Sequence, residues 1–152
     1  MNFLKTKRCL IIFLLFAVVL VTAGCAGFLE FSNDAVSYSH QADELAVHFL
    51  DVGQGDSILI QFPNDSVMLI DAGPDRSGAP VISYLKQQGI KKIDYLVATH
   101  PHADHIGGMA AVIKEFDISK VYMPKVTHTT KTFEDMLLSI KKKGLKITPA
   151  RA

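Results

Sequence analysis

Three imidazoles and one carboxylate fall within six consecutive positions, His100-Pro101-His102-Ala103-Asp104-His105. In a chain of this composition the spacing His-x-His-x-Asp-His arises by chance on the order of 10⁻³ times. That argues against a set of surface histidines gathered by accident near a helix start. Imidazole nitrogens with a carboxylate oxygen suit a divalent cation. So nitrogen-rich a set fits Zn²⁺ better than Mn²⁺ or Fe²⁺. Residues two apart at a strand end project the same way, so His100 and His102 can converge on one ion. Asp104 and His105, past a turn, are placed to face a second. Gly107 and Gly108 then leave room for backbone to come close, and open a helix whose partly positive end faces any bound anion.

The elements that must hold this loop are legible on either side of it. Val47 to Leu50, Ser57 to Phe62 and Val67 to Ile70 read as three strands, the last two joined by a turn at Pro63-Asn64-Asp65. Asp71-Ala72-Gly73 closes the third strand, and Pro74 to Pro80 reads as a loop. Val81, Ile82 and Leu85 recur at helical spacing until Gly89, and Ile93 to Thr99 is the strand that delivers the histidines. Gly108 to Phe116 predicts a helix, Val121 to Met123 a short strand, Thr132 to Lys143 a helix stopped by Gly144, and Leu145 to Ile147 the start of a further strand. Strands and helices alternate, which is the α/β pattern.

The chain has 152 residues, is 49% hydrophobic and carries a net charge of +1, which bounds it to one globular domain plus its leading segment. No basic stripe with interleaved aromatics marks a nucleic-acid surface. Lys5, Lys7 and Arg8 precede an apolar stretch, Leu10 to Ala23, that is shorter than the about 20 residues needed to span a ~30 Å hydrocarbon core. Val21-Thr22-Ala23-Gly24-Cys25 resembles a bacterial lipobox, which makes residues 1–24 a signal peptide and Cys25 the lipidation site. An ordinary signal peptide cut nearby and an uncleaved N-terminal anchor are the alternatives. All three place the chain outside the cytoplasm, and the lipobox tethers it to the extracytoplasmic face of a bacterial cell membrane. Residues 25–44, polar and without period, read as a tether, and residues 45–152 as the domain. Cys9 and Cys25 are the only cysteines, so the domain has neither a disulfide nor a thiolate ligand.

The stretch Thr99 to Gly108, preceded by Leu69-Ile70-Asp71-Ala72-Gly73, resembles the metallo-β-lactamase superfamily. Phe49-Leu50-Asp51-Val52-Gly53-Gln54-Gly55-Asp56-Ser57 is similar to the opening of its exported branch, found in ComEC-like competence DNA-uptake proteins. The resemblance runs from about residue 45 onward and implies a four-layer αββα sandwich with two metal ions. His100 and His102 would ligate the first ion, Asp104 and His105 the second, with Asp104 also the catalytic candidate. Asp71 would orient the ligand loop, and Asp56 would lie at the edge of the site with Gly107 and Gly108 as further supports. Metal-activated water would then hydrolyse a phosphoester or nucleic acid.

Complete members of the family add a second half carrying a third histidine, a bridging aspartate or cysteine and a last histidine. After His105 this chain offers only His128, in the polar loop Val126 to Thr130, which reads as a loop or substrate-side residue and not as a ligand. The expectation is therefore the N-terminal part of the domain, about one sheet with its helices, from a truncated frame or a longer chain. Such a half would expose apolar side chains from Ile58, Ile60 and Leu69, and would need a complementing C-terminal half or self-association. Two further functional classes stay open beside the hydrolase: a non-catalytic fragment with weak metal binding, and a surface lipoprotein serving as a binding module.

Overall fold

The computed structural model describes residues 43–150; residues 1–24, Cys25 and most of the tether lie outside the described residues. Three strands open the domain: β1 (Ala46–Phe49), β2 (Ile58–Gln61) and β3 (Val67–Ile70). They pair antiparallel in sequence order. The β2–β3 turn closes through Phe62 N–H to Ser66 O at 2.9 Å and Asp65 N–H to Phe62 O at 3.0 Å, with Asp65 at φ 60°. From β3 onward every connection is a crossover through helix, and β4 (Lys92–Val97), β5 (Asp117–Met123) and β6 (Ile147–Pro149) add in parallel. The result is one six-stranded sheet ordered β1-β2-β3-β4-β5-β6.

A 3₁₀ turn (Asp75–Ser77) runs straight into α1 (Gly78–Gln87), so the segment from Pro74 to Pro80 is not the loop the sequence suggested. Pro80 sits in the first helical turn, where its missing N–H has no helical acceptor to lose. The ligand loop carries its own turn of helix, α2 (Ala103–Ile106), separate from α3 (Met109–Glu115). The last helix, α4 (Lys131–Lys142), starts on the hydroxyl of Thr130, which accepts from Phe133 N–H.

Strand register shows why the helices lie on one side. Leu59, Leu69, Leu96 and Val121 are successive partners across the sheet and are all 1% exposed or less. They face Val81 and Leu85 of α1, Met109, Val112 and Ile113 of α3, and Met136 and Ile140 of α4, which complete the core. Truncating one of the central leucines to alanine is expected to cost about 2–5 kcal/mol. The next row, Phe49, Ile58, Ile70, Val97 and Tyr122, points the other way and is half-buried or, at Phe49, 79% exposed. Ile58 and Ile60 thus lie, half-buried, on the face that no helix among the described residues covers, as expected. Leu69 does not: the period of two places it among the helices, fully buried.

Candidate metal centre

The site forms where β3 and β4 end side by side. Asp71 follows β3 in the left-handed region (φ 55°) and is 1% exposed. Ending the strand this way turns its carboxylate toward Thr99 and His105, far along the chain. Oδ1 accepts Thr99 N–H at 2.9 Å, and Oδ2 accepts both the Thr99 hydroxyl and His105 Nδ1, the latter at 3.0 Å. The Asp71 carbonyl accepts the buried Ser57 hydroxyl at 3.2 Å.

These bonds set the tautomers of two histidines. A carboxylate only accepts, so His105 donates from Nδ1 and keeps its lone pair on Nε2. Thr99 spends its hydroxyl hydrogen on Asp71, so its oxygen accepts from His100 Nδ1, 3.0 Å away. His100 therefore also keeps Nε2 for a ligand. Asp71 orients one imidazole directly and the other through Thr99, as an outer-shell carboxylate does around a metal. Sequence reasoning gave Thr99 no role of its own, although it heads the resembling stretch directly before His100.

Among the described residues, Asp71, His100 and His105 each present a donor atom, all within 4.8 Å of one another. Both Asp71 oxygens already accept hydrogen bonds, an arrangement that suits the carboxylate to orienting the imidazoles. The His100 and His105 ring centres lie 3.8 Å apart, and those of His100 and His102 4.7 Å apart. His102 stands before α2 with extended backbone, and its exposed side chain makes no capping bond. Asp104 Oδ2 lies 3.8 Å from His105 Nε2. The donor set of His100, His105 and Asp71 fits a divalent cation, while His102 and Asp104, predicted ligands as well, do not join that group among the described residues.

Asp56, its side chain 64% exposed, reaches within 3.5 Å of His105 Nδ1, more distant than Asp71. Its carbonyl accepts Gly73 N–H at 2.9 Å, while Ala72 N–H donates to His105 O at 2.8 Å and Gly108 N–H to Gly73 O at 3.0 Å. The loop 51–57, the end of β3 and the ligand loop are thus stitched backbone to backbone. A Cβ on Gly55 (φ +119°) would stand 1.9 Å from the Asp104 carbonyl oxygen, and one on Gly107 2.2 Å from Asp75 N. Gly107 and Gly108 are buried against residues 72–78, so their close approach serves loop packing, not the ligand face. His128 lies beside His102, ring centres 6.1 Å apart, although α2, α3 and β5 separate the two along the chain.

A family description of the Metallo-beta-lactamase superfamily matches residues 50–151. ComE operon protein 3 of Bacillus subtilis is 29% identical over 127 residues, 72% of this chain and 16% of that protein. Ribonuclease J of Synechocystis is 39% identical over 72 residues, 41% of this chain and 11% of that protein. The chain thus spans less than one fifth of the length of these two relatives. A metallo beta lactamase from Hirschia baltica aligns at TM-score 0.39 and 22% identity, covering 69% of this chain and 50% of that one. With the match running from the end of β1 through the whole ligand loop to the last strand, the chain belongs to the metallo-beta-lactamase superfamily.

Proposed function

We propose that this chain carries the first-ligand half of a metal-dependent hydrolase acting on phosphoesters outside the cytoplasmic membrane. The observation that carries this reading is the convergence of His100 and His105 donors, with Asp71, inside 4.8 Å. That convergence supports a metal at the loop; the family resemblance divides its ligands, so that His100 and His102 would hold one ion and Asp104 and His105 a second, and Zn²⁺ suits the imidazoles best. Such ions, when bound, make water nucleophilic near neutral pH and stabilise charge on the attacked group. The residues of this chain contribute orientation: Asp71 and Thr99 hold two imidazoles with Nε2 free, and the bonds from Ala72 and Gly108 keep the loop in place. Asp104, half-buried at the rim, is positioned to take a proton from a group bound there. Residues 1–24, read as a lipoprotein signal, and Cys25, read as the lipidation site, supply export and anchoring in the same proposal.

The uncovered row from Phe49 to Tyr122 supports a covering element, either a complementing second half of the domain or a second copy. Zinc content and affinity of the full chain, measured with and without His102→Ala, test the metal reading; equal binding in both would sink it. Phosphodiesterase assay of the complete gene product tests the chemistry. Sedimentation of the chain alone tests the covering element, and a monodisperse monomer that melts cooperatively would count against it.

A further inference from the structure

We infer that His128 is a substrate-contacting residue of this centre and that the groove behind it receives the aromatic part of a phosphoester. The inference rests on the metal reading above and names the substrate side of the same site. Imidazoles sharing one tetrahedral ion at N–metal distances of about 2.0–2.1 Å bring their ring centres to about 5 Å. His100 and His102, 4.7 Å apart, meet that spacing; His128, 6.1 Å from His102, stands one step outside it. Its ring therefore stands next to His102, which the metal reading makes a ligand, and outside the ligand spacing itself.

Its orientation is fixed by α4. Thr130 Oγ1 accepts Phe133 N–H at 3.4 Å and pairs with His128 Nδ1 at 2.9 Å. The Thr130 contact engages Nδ1 and leaves Nε2 without a hydrogen-bond partner among the described residues, available to a ligand. Phe133, edge-on at 6.2 Å, holds the ring from below. A half-buried imidazole nitrogen able to donate, next to a metal-ligand candidate, is matched by an oxyanion, and phosphoryl oxygen supplies one.

Behind His128 opens a groove of about 710 Å³ lined by Met123, Val126, Phe133, Leu137 and Ile147, with Lys125 among its residues. Its lining is mainly apolar and its polar groups are basic or hydroxylic. That suits an anionic ester whose organic part is a flat apolar ring, as in an aryl or nucleoside phosphate.

The test uses the zinc-loaded full chain and calorimetric binding of inorganic phosphate, methyl phosphate and phenyl phosphate, with zinc affinity measured on every variant. Phenyl phosphate is expected to bind about tenfold tighter than methyl phosphate. His128→Ala is expected to weaken all three anions about tenfold at unchanged zinc affinity, and His128→Gln, whose amide N–H can replace Nε2–H, to restore most of the loss. Val126→Asn is expected to remove the phenyl preference and leave methyl phosphate unaffected. A parent chain that takes up no zinc overturns the metal reading and this inference together. Zinc uptake with anion affinity unchanged in His128→Ala overturns the inference alone, as does a fall in zinc affinity in that variant, which would make His128 a ligand. Equal binding of phenyl and methyl phosphate removes the groove from it.

Discussion

The two ends of the sheet use the same parts for different ends. At each, an aspartate adopts the left-handed region, Asp71 at φ 55° and Asp65 at φ 60°. At each, a glycine takes positive φ, Gly55 at the site and Gly89 at the far end between α1 and β4. Each has an aspartate with several partners: Asp71 with Thr99 and His105, Asp94 with Lys92, Ser119 and Val67 N–H. At the far end Asp65 and Gly89 turn the chain in water, and Asp94 ties β3, β4 and β5 through bonds that solvent reaches. At the site Asp71 is buried and Gly55 is pressed against the Asp104 carbonyl, so the same conformations there impose geometry on the ligand loop.

The largest expected break comes from the glycines. Gly55→Ala drives a methyl into the Asp104 carbonyl and is expected to cost more than about 3 kcal/mol or to abolish folding. Gly89→Ala meets nothing within 4 Å and should cost about 1 kcal/mol, the left-handed penalty alone. Thermal melts of the two variants measure the difference.

The aspartates come next. Asp71→Asn puts an amide where three donors converge. It is expected to lower zinc affinity about 10–100-fold and stability by about 1–3 kcal/mol. Asp65→Gly should stay within about 1 kcal/mol of the parent and leave zinc affinity unchanged. Thr99→Val tests the relay: His100 loses the acceptor that fixes its tautomer, and zinc affinity should fall about tenfold while Thr99→Ser retains it.

The smallest effect belongs to Asp94. The hydrogen bond from Lys92 holds its carboxyl below the ordinary value, outweighing the opposing effect of burial. A depressed carboxyl stabilises the fold above its unfolded pKa, and the contribution disappears as pH falls through the lower folded value, below about 3.9. Asp94→Asn should therefore cost under about 1 kcal/mol at neutral pH, and the cost should vanish in strong acid.

Strand positions and the ligand loop were legible because their signals are local. Short apolar runs bounded by turn residues marked β2 and β3, and the histidine spacing marked the loop whatever surrounded it. Leu69 was misplaced because sidedness depends on register with β2 and β4, which no single strand states. The start of α1 was missed because Pro80 reads as a breaker, although it is harmless in a first turn. Thr99 and the adjacency of His128 to His102 were hidden for a related reason. Each depends on a crossover bringing together residues whose own neighbours show nothing unusual.

The bonds from Ala72 N–H to His105 O and from Gly108 N–H to Gly73 O extend the pairing of β3 past the last strand residue and into the ligand loop. They involve backbone alone and owe nothing to an ion. The amides of Ala72 and Gly108 should then exchange with solvent at rates set by global opening, with or without metal. Loading and stripping of the ion become surface events, timed by water and chelator and not by the unfolding of the chain.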